Sequence, residues 1–152
     1  MAADVGSLAP DFTLKDQNNE DVTLSEFRDR RVAVLAFYPL TFTRICRSEL
    51  SAIRDDLGSF QNDDVQVLAV SVDSPFAHKV WASEQGYDFP LLADFWPHGE
   101  VARAYGVFDD EKGVARRGTF IIDKQGVVRW TIVNQISDAR DHSEYLKALA
   151  SL

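Results

Sequence analysis

Residues 37–50 read FYPLTFTRICRSEL, and this stretch decides the fold. An apolar, β-rich run that starts at Val32 ends at Pro39, and a short hydroxyl-bearing turn follows it. The chain's one cysteine, Cys46, comes just after that turn. Beyond it, the apolar residues at helical spacing are Leu50, Ile53, Leu57 and Phe60. This pattern predicts a buried strand, a turn, and a helix over about residues 43–61 with one apolar face.

Cys46 falls in the first turn of this predicted helix. Amides at a helix N-terminus favour negative charge, so a thiolate would be stabilised there. Thr43 is a candidate N-cap, and its hydroxyl would then lie within reach of Cys46. A lone cysteine is more often a small buried hydrophobe. The strand, turn and helix around it, together with Thr43 and Pro39, favour a reactive thiolate instead.

Length and composition limit the class of protein. The chain has 152 residues, and we expect a single domain over residues 1–152 with a proper core. Its net charge of −8 argues against nucleic-acid binding, which needs a basic face. The longest apolar run, around residues 32–40, is too short to span a bilayer, and residues 1–10 show no signal peptide.

Cysteine and histidine usage points to a reducing compartment without a metal. One cysteine permits no disulfide within the chain, which fits a cytoplasmic location. The three histidines lack the spacing of metal ligands, and no glycine-rich phosphate loop is present. We therefore expect neither a metal nor another cofactor.

The rest of the chain reads as alternating strands and helices. The predicted elements are an N-terminal hairpin (12–15 with 21–24), a second buried strand (65–72), a helix (75–85), a short apolar segment (89–92), a short helix (100–105), a charged loop (108–116), a C-terminal hairpin (118–123 with 127–133) and a closing helix (144–152). The strand–helix–strand unit implies a parallel pair, and the C-terminal hairpin makes the second half of the sheet antiparallel.

Five segments, in order, resemble the peroxiredoxin family. Pro39-x-x-x-Thr43-x-x-Cys46 is similar to the family's active-site signature. The other four are APDF at 9–12, DSPFAHKVW at 73–81, FPLLAD at 89–94 with YGV at 105–107, and RGTFIID at 117–123. The short chain, the single cysteine and FWPHG at 95–99 most resemble the one-cysteine alkyl hydroperoxide reductase E subgroup.

The resemblance implies an α/β, thioredoxin-like fold with a mixed central sheet, an N-terminal β-hairpin and flanking helices. It also implies a thiol-dependent peroxidase. In that reaction the Cys46 thiolate attacks hydrogen peroxide, an alkyl or lipid hydroperoxide or peroxynitrite, and becomes a sulfenic acid.

The resemblance assigns roles to three residues around the sulfur. Arg117 would supply the cation that favours the thiolate and polarises the peroxide. Its neighbour Arg116 is a rival for that role. Thr43 would hold the sulfur and the attacked oxygen, and Pro39 would shield the sulfur from water.

The implied partners follow from the single cysteine. An external thiol must reduce the sulfenic acid, and the resemblance suggests a low-molecular-weight thiol or a glutaredoxin-like protein such as a mycoredoxin. By analogy with the family, we expect a homodimer or a dimer-based oligomer. We expect no nucleic-acid or membrane partner.

Several further residues have open roles. The aromatic side chains of Phe42, Trp81 and Phe89 could line the substrate pocket, although aromatic residues more often belong to the core. His78 is expected to be structural, and Glu49 is expected to pair with an arginine. Lastly, Arg44 and Arg47 flank the cysteine. They either favour anionic substrates or are simply solvated.

Two other functions stay open at this point. A thioredoxin-like thiol carrier would normally carry Cys-x-x-Cys, whereas Thr43 stands three residues before Cys46. A non-enzymatic binding or holdase module on the same fold is the second alternative, because a fold does not fix a function.

Overall fold

A mixed β-sheet forms the centre of the computed structural model, which describes residues 3–152. In chain order the strands are β1 (Thr13–Lys15), β2 (Asp21–Thr23), β3 (Val32–Phe37), β4 (Val65–Ser71), β5 (Leu91–Ala93), β6 (Phe108–Asp109), β7 (Val114–Ala115), β8 (Arg117–Ile122) and β9 (Val128–Asn134). Seven of them form one sheet in the order β2-β1-β5-β4-β3-β8-β9, and β6 pairs with β7 separately.

Four α-helices of the described residues flank this sheet. They are α1 (Arg44–Asp55), α2 (Pro75–Gln85), α3 (Glu100–Ala104) and α4 (His142–Ala150). Two 3₁₀ turns, Leu24–Phe27 and Leu57–Ser59, complete the regular structure. Within residues 3–152, no helix is long and apolar enough to cross a membrane.

The two central strands are buried on both faces, as their unbroken apolar sequences predict. Because side chains alternate along a strand, each strand supplies two separate cores. Val34 and Val67 pack with α1, α2 and α4 on one face of the sheet. Leu35 and Leu68 pack with α3 and the β6–β7 hairpin on the other.

The sheet topology brings distant segments to one edge. Strands β3, β4 and β5 are parallel, so they end at the same edge of the sheet, which we call the carboxyl edge. β8 runs antiparallel to β3, and Ala36 pairs with Thr119. Arg117 lies two residues before Thr119 in β8, so the register places it beside the end of β3, where Pro39 begins the turn.

The predicted fold class is confirmed: the sheet is mixed, it starts with an N-terminal hairpin, and helices flank it. The helix predicted over residues 43–61 is wrong in extent, because α1 ends at Asp55 and only a 3₁₀ turn continues it. Asp55 and Asp56 stand at the negative end of the helix dipole, and Asp56 leaves the helical conformation.

The charged loop predicted over residues 108–116 is also wrong, because it contains the β6–β7 hairpin. Phe108 and Val114 are buried and belong to the core, and the charged residues lie between them in the turn. The Asp109 carboxylate accepts hydrogen bonds from the amides of Glu111 and Lys112 and so closes that turn. The hairpin arms are two residues long, which is too short to show an alternating pattern.

Candidate active site

The turn between β3 and α1 brings Cys46 to the carboxyl edge. Pro39 follows β3 and is buried, and Cys46 is the third residue of α1. The sulfur-bearing side chain is fully buried among the apolar residues between the sheet and the helices. Cys46 therefore stands at the positive N-terminal end of a twelve-residue helix, as the sequence predicts.

Arg117 contacts the sulfur directly. Its Nη1 donates a hydrogen bond to Cys46 Sγ over 3.3 Å. The guanidinium is almost fully buried, and its Nε donates to the Ile136 carbonyl oxygen over 2.7 Å. A buried, permanently charged donor beside a sulfur favours the thiolate over the neutral thiol.

Glu49 lies one helical turn after Cys46 on the same face of α1 and pairs with two arginines. Its Oε1 accepts from Arg117 Nη1 over 2.5 Å, and its Oε2 accepts from Arg140 Nε over 2.9 Å. The Arg140 backbone amide donates a second hydrogen bond to Oε2, over 2.7 Å. The predicted pairing of Glu49 with an arginine is confirmed.

Arg140 is a site residue that the sequence reading missed. It lies in the segment between β9 and α4, and its Nη1 donates to Thr119 Oγ1 over 2.9 Å and to the Gly118 carbonyl oxygen over 3.0 Å. Thr119 Oγ1 donates in turn to the Tyr145 hydroxyl over 2.9 Å. A lone arginine in a polar connection carries no sequence pattern that could have revealed this network.

The buried cluster of Cys46, Glu49, Arg117 and Arg140 has a charge balance that depends on the sulfur. Two guanidinium groups and one carboxylate leave one unit of positive charge when the thiol is neutral. A thiolate would bring the cluster to neutrality. Because an uncompensated buried charge is costly, a thiolate here would compensate the charge that the two arginines and Glu49 leave.

A groove of about 520 Å³ opens beside this cluster. Its apolar lining consists of Pro39, Leu40, Ile45 and Ile136. Its polar lining consists of Thr43, Arg44, Asp109, Lys112, Arg116, Arg117, Gln135 and Ser137. Among the described residues, the groove cations Arg44, Lys112 and Arg116 form no ion pair, so the lining combines apolar side chains with more cations than carboxylates.

Thr43 occupies the N-cap position of α1, but the predicted side-chain cap is wrong. Its hydroxyl donates to the Leu40 carbonyl oxygen over 2.6 Å and accepts nothing from the helix. In this tight turn the hydroxyl lies within hydrogen-bond distance of the carbonyl oxygen three residues back, rather than of a helix amide. The same hydroxyl lines the groove and keeps its oxygen lone pairs free to accept a hydrogen bond.

None of the three aromatic residues considered for the pocket lies in the groove. Trp81 and Phe89 are fully buried in the core beneath α1, where large aromatic surfaces gain most from burial. Phe42 is 46% exposed and packs against Trp81, with ring centroids 6.1 Å apart. Phe42 and Trp81 thus contact each other beside the turn, and Phe89 belongs to the core.

The remaining predicted residues also have defined positions. His78 is fully buried with Nε2 2.7 Å from Ser71 Oγ, which agrees with a structural role. Burial lowers the pKa of His78 to about 4, so it is neutral near pH 7. Arg116 donates to the Gly106 carbonyl oxygen, whereas Arg117 contacts the sulfur. Arg47 is exposed and does not line the groove.

The chain is similar to known proteins over most of its length. The profile of the AhpC/TSA family matches residues 5–131. Alkyl hydroperoxide reductase E of Mycobacterium tuberculosis is 50% identical over 148 residues, which cover 97% of each chain. Thioredoxin peroxidase of Echinococcus granulosus is 40% identical over 98% of this chain and 81% of its own. The reduced 2-Cys peroxiredoxin of Plasmodium vivax superposes with a TM-score of 0.87 at 30% identity, over 96% of this chain and 80% of its own.

Proposed function

The chain belongs to the AhpC/TSA family and is a thiol-dependent peroxidase, and on this premise we propose that Cys46 is its peroxidatic nucleophile. The observation that carries the proposal is the hydrogen bond from Arg117 Nη1 to Cys46 Sγ, inside a buried cluster that a thiolate would neutralise. A thiol carrier is not favoured, because the chain has no second cysteine.

The reaction follows from the position of the charges. The thiolate attacks the terminal oxygen of a hydroperoxide, an S–O bond forms and the O–O bond breaks. Cys46 becomes a sulfenic acid that keeps the terminal oxygen with its hydrogen. The other oxygen leaves with the bonding electrons and takes a proton from solvent to give water or an alcohol. Arg117 stabilises the negative charge as it moves from sulfur to the leaving oxygen.

Thr43 and Pro39 complete the proposed site. The Thr43 hydroxyl donates to the Leu40 carbonyl, so its free lone pairs can accept the O–H of the hydroperoxide and aim the terminal oxygen at the sulfur. Pro39 is buried, lines the groove and lacks an N–H, so it excludes water without adding a competing donor.

The groove supports alkyl and lipid hydroperoxides as substrates besides hydrogen peroxide. Leu40, Ile45 and Ile136 can receive an alkyl chain, and the unpaired cations Arg44 and Arg116 can attract a carboxylate at its end. Peroxynitrite, an anion, would be attracted by the same cations.

The reductant is an external thiol. Its thiolate attacks the sulfenic sulfur, hydroxide leaves as water, and a second thiol resolves the mixed disulfide. A low-molecular-weight thiol or a glutaredoxin-like protein such as a mycoredoxin fits this need. A single cysteine also fits a reducing compartment, so we place the protein in the cytoplasm.

A homodimer is supported by exposed apolar side chains at the carboxyl edge. The segments that follow β3, β4 and β5 expose five large apolar side chains, two of them on α2: Phe42, Phe76, Val80, Phe95 and Trp96. Phe76 and Trp96 are 79% and 81% exposed, which is unusual for side chains of this size. A second copy would cover them next to the active site. Residues 1–152 would form one domain in each copy.

Rapid-mixing kinetics test the proposed nucleophile. With stoichiometric hydrogen peroxide, the wild-type protein should lose one thiol per peroxide far faster than free cysteine does. Cys46→Ser should abolish this loss, and Arg117→Ala should slow it about a hundredfold or more. The exposed Arg129→Ala is the matched control and should keep the wild-type rate. Oxidation of Arg117→Ala at the wild-type rate would remove Arg117 from the mechanism.

The substrate proposal needs a fatty-acid hydroperoxide and its methyl ester, measured in parallel. Arg116→Ala should slow oxidation by the free acid about two- to fivefold, because one exposed charge pair is worth up to about 1 kcal/mol. The rates with the ester and with hydrogen peroxide should not change. Equal slowing of all three reactions would contradict a carboxylate-binding role.

A further inference from the structure

A carboxylate outside the cluster around Cys46 holds the turn that carries Pro39 and Thr43. The Thr41 backbone amide donates to Asp73 Oδ2 over 2.8 Å. Thr41 is buried, so this amide would have no partner in water if the carboxylate were removed. Asp73 lies just past β4 and therefore ties the turn after β3 to the neighbouring parallel strand.

The side chains of Ser71 and His78 hold the Asp73 carboxylate in place. Ser71 Oγ donates to the same Oδ2 over 2.7 Å and lies 2.7 Å from His78 Nε2. A hydroxyl has one hydrogen, so a serine that donates to Asp73 must accept from the histidine ring. The hydrogen-bonded chain from the buried His78 and Ser71 to the half-buried Asp73 thus orients the carboxylate toward Thr41.

The turn needs such support because its backbone is strained. Phe42 has a φ of 71°, a left-handed conformation that is unfavourable for a bulky residue. On its other side the turn is held by the Thr41 hydroxyl, which lies 3.0 Å from the Tyr38 hydroxyl. Two residues after this doubly held Thr41, Thr43 lines the groove together with Arg117.

We propose that Asp73 is a positioning residue for peroxide reduction, acting through the Thr41 amide to hold the Thr43 hydroxyl in the groove beside the pair of Arg117 and Cys46. The proposal rests on the proposed function. Ser71 and His78 hold the Asp73 carboxylate through hydrogen bonds, and none of the three residues contacts the peroxide. Without Asp73 the oxidation of Cys46 should be slower, since a misplacement of a reacting group by about 1 Å can lower the rate on the order of a hundredfold.

The test compares two substitutions at Asp73 by rapid mixing with hydrogen peroxide. Asp73→Ala removes both hydrogen bonds and should slow Cys46 oxidation about tenfold to a hundredfold. Asp73→Asn can place its amide oxygen where Oδ2 stood and should recover most of the rate. The pH dependence of thiolate absorbance should be the same in both variants, because the contact of Arg117 with the sulfur is unchanged.

A matched control separates positioning from general destabilisation. Asp94 is a buried carboxylate that accepts two backbone amides, from Val101 and Ala102, and holds α3 instead of the turn. Asp94→Ala should lower the melting temperature and keep the oxidation rate. Equal slowing in Asp73→Ala and Asp94→Ala would overturn the proposal.

A double-mutant cycle shows whether Asp73 acts through Thr43. In a Thr43→Val background, Asp73→Ala should slow oxidation less than about threefold, because the hydroxyl it positions is gone. Independent, multiplicative effects would overturn the proposal. If Asp73→Ala does not fold, Ser71→Ala loosens the same carboxylate and must show the same suppression. Slow oxidation of the wild-type protein would instead reject the proposed function itself.

Discussion

At the scale of single residues, the site depends on one carboxylate shared by two guanidinium groups. Glu49 binds Arg117 through Oε1 and Arg140 through Oε2, and all three side chains are at most 4% exposed. Neither arginine alone would be a stable buried ion. Glu49 therefore fixes the cation that contacts Cys46 and leaves one positive charge for the thiolate to balance.

Glu49→Gln is expected to lower the free energy of unfolding by about 3 kcal/mol or more, because it takes from two buried guanidinium groups the carboxylate that they share. Urea denaturation followed by circular dichroism measures this loss. The control is Glu144→Gln, which breaks the exposed pair with Lys147 and should cost less than about 1 kcal/mol. A loss for Glu49→Gln as small as for the control would contradict the shared-carboxylate interpretation.

His78 makes a contribution to stability that depends on pH. Burial, opposed by the nearby Asp73 carboxylate, lowers its pKa from 6.5 to about 4 in the folded protein. The unfolded chain therefore binds a proton first as pH falls, and stability decreases from pH 6.5 down to about 4.

The loss attributable to His78 is about 3 kcal/mol at most. His78→Asn should remove that part of the pH dependence when unfolding is measured across this window. His142→Asn, at the start of α4, should retain it. Parallel pH profiles of the wild type and His78→Asn would show that His78 is not the titrating group.

At the scale of elements, the start of β8 must pass close to the segment after α3. A Cβ added at Gly118 would stand 2.7 Å from Val107 Cγ1 and 3.3 Å from its Cβ. The preceding residue is Arg117, so any displacement of the strand here moves the guanidinium relative to Cys46. Glycine at this position serves the close approach of the two segments.

Gly118→Ala is therefore expected to destabilise the fold by about 1–3 kcal/mol and to slow Cys46 oxidation as well. Thermal unfolding and rapid mixing with hydrogen peroxide measure the two effects. Gly58→Ala is the control, since a Cβ there meets nothing within 4 Å. A variant at position 118 that keeps both wild-type values would mean that the segment relaxes without cost.

At the scale of the whole molecule, one edge of the acidic chain carries several large exposed aromatic side chains. The carboxyl edge carries both the active-site turn and Phe42, Phe76 and Trp96. The net charge of −8 would keep copies apart unless an apolar surface favoured their association. The proposed homodimer would bury this edge and bring the two active sites close to the interface.

Phe76→Glu combined with Trp96→Glu should convert the proposed dimer to a monomer, because it places four buried like charges at the interface of the two copies. Sedimentation velocity measures the mass of each species. Leu8→Glu is the control: Leu8 is 64% exposed but bridges Val127 beside β9, so the dimer should persist. A wild-type protein that sediments as a monomer at high concentration would reject the dimer.

Local sequence patterns are enough to predict the elements of this protein that depend on neighbours along the chain. The apolar runs of β3 and β4, the hairpins and the start of α1 at Arg44 follow local patterns of burial and turn chemistry. The candidate site came from the spaced residues around Cys46 and from Arg117, read through their resemblance to a family. Local patterns show which face of an element is buried, because that face repeats with the period of the backbone.

Which charged and polar groups contact each other depends on the tertiary structure. Arg140 reaches Glu49 across 91 positions of sequence, and Asp73 reaches Thr41 across 32. A single polar residue has no period, so nothing local shows whether it will be solvated or buried against a partner. The hydroxyl of Thr43 turned to the Leu40 carbonyl for the same reason: its partner is chosen by the geometry of the packed turn, which the strands and α1 impose together.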